Sequence, residues 1–153
     1  MVINTYAAER PEFVREASDA FGSSTVAVSI NVKKKFLSRE QVYTLNGSKA
    51  TGLDPVDFAL LMEKNGAGEI YINSIESDGT MEGYDLELVK KVSEAVTIPV
   101  VAVGGAGTLT HLREAIDAYA SAVGAGSLFV YHGSRRAVLV NYPKNEELVE
   151  LFN

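Results

Sequence analysis

The sequence contains no cysteine, and this absence excludes several kinds of chemistry. Without cysteine there can be no disulfide, no thiol nucleophile and no cysteine-based metal site. The histidines and carboxylates also lack the spacing of a metal site, so we predict neither a metal nor another cofactor. His111 falls on a predicted helix, where an exposed helical histidine is the favoured interpretation.

Positive charge is also scarce, because 14 Lys and Arg residues stand against 20 Asp and Glu residues, for a formal net charge of −6. This balance argues against nucleic acids and anionic membranes as partners. The tyrosines are scattered and form no stacking platform for bases. We interpret residues 33–35, a run of lysines, as an irregular solvated loop. Arg135 and Arg136 form either a solvated surface or an anion contact.

Long hydrophobic runs are missing too, and none approaches the roughly 20 residues that a membrane-spanning helix needs. The first four residues, Met-Val-Ile-Asn, have no feature of a signal peptide. We therefore expect a soluble, cytoplasmic protein. No linker or low-complexity segment divides the sequence, so residues 1–153 are predicted to form a single domain with a sizeable core.

What the sequence does contain is a regular alternation of short β-type runs and amphipathic helical segments. The predicted strands cover residues 2–5, 25–31, 69–74, 98–103 and 122–127, and the predicted helices cover 11–21, 55–65, 86–96, 110–119 and 145–152. This alternation is typical of an α/β protein with a parallel sheet and right-handed crossovers. Within the long segment 35–51, the dipeptide Asn46-Gly47 predicts a small hairpin.

Every predicted strand ends in a glycine or a small polar residue. These residues are Asn4 and Thr5, Asn31, Asn73 and Ser74, Gly104 and Gly105, and Gly126 and Ser127. The carboxyl ends of parallel strands meet at one edge of a sheet, so we predict a ligand site there. The glycine turn 104–107 precedes a helix that Thr108 can cap, an arrangement suited to a phosphate. A purely structural tight turn is the alternative.

Five short segments together resemble the HisF family, the cyclase subunits of imidazole glycerol phosphate synthase. They are Gly-Ala-Gly-Glu-Ile at 66–70, Ser-Ile at 74–75, Asp-Gly-Thr at 78–80, Gly-Tyr-Asp at 83–85 and Gly-Gly-Ala-Gly at 104–107. HisF is a TIM barrel, (β/α)8, of about 250 residues. The resemblance implies the C-terminal part of that barrel, from the end of strand four through strand eight, with the hairpin inserted after strand five.

The segment 129–143 points to one group within the HisF family. Its sequence, Phe-Val-Tyr-His-Gly-Ser-Arg-Arg-Ala-Val-Leu-Val-Asn-Tyr-Pro, is similar to a HisF-like paralogue linked to acetamidino modification of surface-sugar precursors. In that group a HisH-like glutaminase is the partner, and the ammonia serves a sugar amidotransferase. A histidine-biosynthesis cyclase is one alternative, and a non-catalytic phosphate-binding or self-associating fragment is another.

The resemblance also implies roles for individual residues around a phosphorylated substrate. One phosphate site uses Gly104, Gly105, Gly126 and Ser127, and a second uses Asn4 and Thr5. Asn73 falls where the family has a threonine near the substrate. Asp78 and Gly79 match a loop that borders the active site, although a plain turn is the alternative.

Glu69 lies at the amino end of its predicted strand, away from these residues. It matches a glutamate that the family places in a ring of charged residues at the bottom of the barrel, where ammonia enters. An exposed carboxylate at the start of a strand is the alternative interpretation.

Asn31 departs from the family pattern. The family uses two aspartates as general acid and base; the first has no counterpart in this sequence, and the second falls on Asn31. An amide cannot accept a substrate proton, and a positioned acid or base is worth about 10²–10⁴ in rate. We therefore expect this chain alone to be catalytically incomplete.

Five parallel strands cannot close an eight-stranded barrel. Two open sheet edges and an apolar inner face are therefore expected to be exposed. We favour a fragment or truncated product as the explanation. The alternatives are a homo-oligomer in which a second copy completes the barrel, and an open, flavodoxin-like half.

Overall fold

The computed structural model describes residues 1–35, 39–133 and 135–153. Residues 36–38 of the predicted basic loop and hairpin region, and Ser134 of the segment 129–143, lie outside the described residues. Within these ranges, none of the helices has the length and apolar character needed to cross a membrane.

The secondary structure alternates between strands and helices along the chain. The strands are β1 (Val2–Ile3), β2 (Ala27–Lys35), β3 (Arg39–Thr44), β4 (Lys49–Ala50), β5 (Glu69–Ser74), β6 (Val100–Val103), β7 (Ala122–Gly124), β8 (Tyr131–His132) and β9 (Ala137–Val138). The helices are α1 (Thr5–Glu9), α2 (Glu12–Phe21), α3 (Pro55–Lys64), α4 (Leu86–Ala95), α5 (Leu109–Asp117), α6 (Ser127–Val130) and α7 (Asn145–Phe152), and Ser23–Thr25 forms a 3₁₀ turn.

The parallel strands follow one another across the sheet in the order β1, β2, β5, β6, β7. The order of the strands in space is therefore their order in the chain. In a barrel each new strand is added on the same side of the previous one, whereas in a flavodoxin-like sheet the strand order reverses partway through the chain. The predicted parallel α/β sheet is confirmed, and the flavodoxin-like alternative is wrong.

Side-chain N-caps explain where three helices begin. The Asp54 side chain accepts the N–H of Val56 at 2.8 Å, and Pro55 occupies the first turn of α3. Asp85 caps α4, and Thr108 caps α5, each by accepting an N–H three residues further on. Each cap satisfies an N–H that has no partner within its helix.

The hydrophobic core lies between the helices and one face of the sheet. In β5, Ile70 and Ile72 are buried against this core, while Tyr71 and Asn73 point to the other face and are partly exposed. The helices contribute Val14, Ala17, Phe58, Ala59, Met62, Leu88, Val89, Val92, Leu112 and Ala115 to the core. Because successive side chains of β5 point to opposite faces of the sheet, one face packs against the core and the other stays open.

The open face, which corresponds to the inside of a barrel, is less apolar than predicted. It carries Ser29 and Asn31 from β2, and Glu69, Tyr71 and Asn73 from β5. The expectation of an apolar inner face is therefore wrong for these two strands. Valine side chains occupy this face in the neighbouring strand β6.

The basic run at residues 33–35 is not an irregular loop. It belongs to β2, which continues past Asn31 and pairs antiparallel with β3, so that Lys34 lies opposite Glu40. The Nζ atom of Lys34 lies 3.0 Å from Asp85, the N-cap of α4, and this hydrogen bond raises the pKa of Lys34. The partners of the basic run come from distant elements, which is why the local sequence suggested a solvated loop.

The predicted hairpin at Asn46-Gly47 is confirmed, since β3 and β4 pair on either side of it. The predicted strand 122–127 is shorter than expected, because it ends at Gly124 and Ser127 begins α6. The predicted strand start at Thr25 is a 3₁₀ turn. The short elements α1, α6, β8 and β9 escaped prediction because a few residues carry no clear periodicity.

Glu63 on α3 ties that helix to the segment before β6, and its titration gives a test of the packing. Its Oε1 accepts hydrogen bonds from Thr97 Oγ1 at 2.5 Å, Thr97 N at 2.7 Å and Ile98 N at 3.2 Å. The hydroxyl of Thr97 contributes most to lowering the pKa of Glu63. The carboxylate therefore stabilises the fold above the unfolded-state pKa, and this contribution is lost as the pH falls through the lower folded-state pKa.

We expect Glu63→Gln to lower the free energy of unfolding at pH 7 by about 1 kcal/mol, the scale of one hydrogen bond. The difference from the unmodified chain should shrink as the pH falls below about 4, where the unmodified carboxylate also becomes protonated. Urea denaturation at pH 7 and at pH 3 measures both effects. Glu150→Gln, at an exposed position on α7, is the control. An identical pH dependence for both variants would contradict this account.

Candidate functional site

The carboxyl ends of β5, β6 and β7 form one row across the sheet with Asn31, the residue from which β2 extends to pair with β3. Asn31 of β2 pairs in register with Asn73 of β5, Asn73 with Val103 of β6, and Val103 with Gly124 of β7. Side chains in one row of a parallel sheet point to the same face, here the open one. The register therefore brings together residues that lie up to 93 positions apart in the chain, from Asn31 to Gly124.

An open cleft of about 370 Å³ lies at the β5, β6 and β7 end of this row. Its lining residues are Asn73, Asp78, Val103, Gly104, Gly124, Ala125 and Gly126. Four of them, Asn73, Asp78, Gly104 and Gly126, belong to the site predicted from the sequence. Gly79, Gly105 and Ser127 adjoin the lining residues in the chain.

Asn31 and Asn73 are hydrogen-bonded to each other. The Nδ2 atom of Asn73 donates to Oδ1 of Asn31 at 3.2 Å. The Oδ1 atom of Asn73 is buried and has no hydrogen-bond partner among the described residues. It packs so closely against Gly104 that any side chain there would overlap it. Asn31 therefore acts in this structure as a neutral hydrogen-bond acceptor.

The glycine turn is required by packing as well as by its backbone conformation. Gly105 has φ +114°, and a Cβ atom there would overlap the carbonyl oxygen of Gly83. A Cβ atom at Gly107 would overlap the carbonyl of Met81 in the same way. Packing thus requires glycine at these two positions, which lets the turn lie directly on the loop after β5.

Gly126 is different, because neither conformation nor packing requires a glycine there. A Cβ atom at this position would meet no atom within 4 Å, and its φ is −114°. Gly126 nevertheless lines the cleft. Gly126 therefore leaves this part of the wall without a side chain.

Asp78 is the ionisable residue in the lining of the cleft. Its carboxylate repels a fully deprotonated anion but accepts hydrogen bonds from N–H groups and from hydroxyl groups, including the P–OH of inorganic phosphate near neutral pH. The backbone amides of the glycine-rich walls suit a phosphate group. This combination fits a ligand that carries both a phosphate and hydrogen-bond donors. Among the described residues, no cluster of three or more His, Asp or Glu could hold a metal ion.

Asn4 and Thr5 lie at the opposite edge of the sheet from the cleft. The Nδ2 atom of Asn4 donates to the carbonyl of Ser29 at 2.7 Å. The hydroxyl of Thr5 accepts the N–H of Leu45 at 3.1 Å and so holds the turn between β3 and β4. The predicted second phosphate site is therefore separate from the cleft, and both of its side chains have partners within the fold.

Glu69 begins β5, at the end of the strand opposite Asn73. It lies in register with Ala27 and is partly buried on the open face. The structure thus places Glu69 at the amino end of the sheet, as its position in the sequence predicts.

Two residues that support the cleft escaped prediction. Tyr84 is 8% exposed, and its hydroxyl donates to the carbonyl of Gly124 at 2.9 Å. Burial raises the pKa of Tyr84 to about 12. His111 is partly buried rather than exposed, and its Nδ1 accepts the N–H of Gly107 at 3.1 Å. A signal for Tyr84 was available, since it is the centre of the Gly-Tyr-Asp segment, which had suggested only a resemblance.

Arg136, one residue of the predicted basic pair, contacts the same region. Arg136 donates from Nη2 to the carbonyl of Thr80 at 3.1 Å and so ties the β8–β9 hairpin to the loop after β5. Its role in this structure is a contact within the chain.

Comparison with known proteins agrees with the fold. Residues 1–135 match the family described as Histidine biosynthesis protein. Proteins from Leptospira interrogans and Leptospira borgpetersenii, both provisionally named imidazole glycerol phosphate synthase subunit HisF, are 42% and 41% identical over 99% of this chain and 61% of their own length. A Pseudomonas aeruginosa protein, provisionally named subunit hisF2, is 41% identical over 95% of this chain and 59% of its own length.

The chain therefore belongs to the histidine biosynthesis protein family, whose fold is the TIM barrel. Within that family it is a partial HisF-like protein, since it spans about 60% of the length of the curated relatives it matches. The predicted family and the predicted partial barrel are both confirmed.

Proposed function

We propose that this chain is a HisF-type synthase subunit whose carboxyl-end cleft binds the phosphate of a phosphorylated substrate. The observation that carries the proposal is the convergence of Asn73, Asp78, Gly104 and Gly126 on one open cleft. These residues come from three separate strand ends. Backbone amides on glycine-rich walls can bind a phosphate without a Lys or Arg side chain.

We further propose that Glu69 belongs to an entrance for ammonia from a HisH-like glutaminase. Its place at the amino end of β5 supports this, because ammonia entering there would reach the cleft through the open face. Asn31 argues against proton transfer in this chain, since its amide cannot act as a general base. The proposed role is therefore substrate binding and ammonia delivery in sugar amidation, with a histidine-pathway cyclase as the alternative.

Self-association is a second candidate, and the open sheet edges favour it. Neither β1 nor β7 has a neighbour on its outer side among the described residues. Unpaired edges readily pair with other strands. A second copy that contributes its own strands would cover these edges and the open face.

Size-exclusion chromatography with light scattering tests the glutaminase partnership and the self-association in one experiment. The chain is measured alone and mixed with the HisH-like glutaminase from the same organism, and glutamine hydrolysis is assayed in parallel. We expect a complex and faster hydrolysis in the mixture. Failure to form a complex, together with an unchanged hydrolysis rate, would contradict the glutaminase partnership. A monodisperse dimer of the chain alone supports self-association, and a monomer contradicts it.

A further inference from the structure

The loop between β5 and α4 braces two walls of the cleft from behind. The N–H of Gly83 donates to the carbonyl of Gly105 at 2.9 Å, beside the β6 wall. The next residue, Tyr84, donates its hydroxyl to the carbonyl of Gly124 at the end of β7, also at 2.9 Å. Two consecutive residues thus fix the positions of two carbonyls that belong to different walls.

The bond from Tyr84 also fixes the orientation of a peptide plane. The peptide between Gly124 and Ala125 is trans, so its carbonyl and its N–H point in opposite directions. Since the Gly124 carbonyl points toward Tyr84, the N–H of Ala125 points away from it. Ala125 lines the cleft and is only partly buried. Its N–H has no acceptor among the described residues.

We infer that Tyr84 is a positioning residue that aims the N–H of Ala125 into the cleft as a donor to the phosphate of the ligand. This inference rests on the proposed phosphate-binding function. A hydrogen bond accepted by the carbonyl also polarises the N–H of the same peptide, because linked hydrogen bonds strengthen one another. Tyr84 therefore orients the donor and strengthens it without touching the ligand.

The environment of Tyr84 suits this role. Tyr84 is only 8% exposed, so its hydroxyl is largely shielded from water. The neighbouring Asp85 caps α4, which anchors the residue that follows Tyr84. Tyr84 is thus held in place through its hydroxyl and through the anchored residue that follows it in the chain.

Nuclear magnetic resonance of the unmodified chain, titrated with inorganic phosphate at constant ionic strength, tests the inference directly. We expect the Ala125 amide proton to move downfield together with the amides of Gly104 and Gly126. If the amides of Gly104 and Gly126 respond and that of Ala125 does not, the inference is wrong while the phosphate site stands. If no amide of the cleft responds, the phosphate site and the inference both fail.

Tyr84→Phe removes only the hydroxyl and tests the same point by mutation. We expect the dissociation constant for inorganic phosphate to rise about 3- to 10-fold, the effect of losing one well-aligned hydrogen bond. The response of Ala125 should be lost while that of Gly104 remains. Tyr119→Phe, at a residue that is 61% exposed, is the control and should leave phosphate binding unchanged. A lower melting temperature with unchanged phosphate affinity would show a purely structural role and overturn the inference.

Discussion

Gly105→Ala is expected to destabilise the fold by about 3 kcal/mol or more, one of the larger effects available to a single added methyl group. Two costs combine at this position. The φ of +114° is rarely adopted by alanine, and the new Cβ atom would overlap the carbonyl oxygen of Gly83. Relief of the overlap would require the backbone of the bracing loop to move, which breaks the hydrogen bond from Gly83 N to Gly105 O. Urea denaturation monitored by circular dichroism measures the loss.

Gly126→Ala is the matched control, because it adds the same methyl group to another glycine of the same site. Its Cβ atom would meet nothing within 4 Å. We expect the free energy of unfolding to change by no more than about 0.5 kcal/mol. Equal destabilisation by the two substitutions would contradict the packing described for the glycine turn.

Gly126→Asp is expected to weaken the binding of inorganic phosphate by more than 10-fold while the chain stays folded. The position tolerates a side chain sterically, and it lines the cleft. A carboxylate about 4 Å from a phosphate interacts unfavourably by several kcal/mol at a partly exposed site before salt screening. Even if salt screening reduces this repulsion to about 1.4 kcal/mol, the affinity for phosphate falls roughly tenfold.

Gly126→Asn separates the charge from the shape of the new side chain. Asn and Asp occupy nearly the same volume, but only Asp carries a charge. We expect the Asn variant to bind phosphate more tightly than the Asp variant at low ionic strength, and the gap to narrow as salt is added. Equal affinity of the two variants at low salt would show that phosphate does not bind beside Gly126.

Much of this fold follows from local patterns in the sequence. The period of two in β5 and the continuous apolar run of β6 specify their strands, and Asp54, Asp85 and Thr108 mark helix starts by capping them. The hairpin follows from Asn46-Gly47, which adopts the turn that joins β3 and β4. Each of these signals acts over a few neighbouring residues.

Features that depend on distant partners could not be predicted in the same way. The lysine run at residues 33–35 becomes strand because β3 pairs with it and Asp85 neutralises Lys34. His111 is partly buried because the glycine turn folds back onto it and Gly107 donates to its ring. Neither β3 nor Asp85 is visible in the sequence around the lysine run. Gly107 is only four residues from His111, but it meets the ring only because of the conformation of the glycine turn.

In the candidate site, too, local signals predicted some features and missed those that depend on contacts between distant residues. Strand ends with glycine or small polar residues indicated which edge of the sheet carries the site, and the register brings Asn73, Gly104 and Gly126 close together. The sequence did not indicate that Asn31 and Asn73 bond to each other, nor that Tyr84 holds Gly124. Both facts depend on how the strands align and on how the loop after β5 folds over their ends.

The central claim is that the carboxyl-end cleft binds phosphate, and calorimetric titration of the unmodified chain with inorganic phosphate tests it most directly. At constant ionic strength the account predicts saturable binding at the cleft, with an affinity at least tenfold higher than that of Gly126→Asp measured in the same way. Heats no larger than those of a sodium chloride dilution, or equal affinities for the unmodified chain and Gly126→Asp, would contradict it.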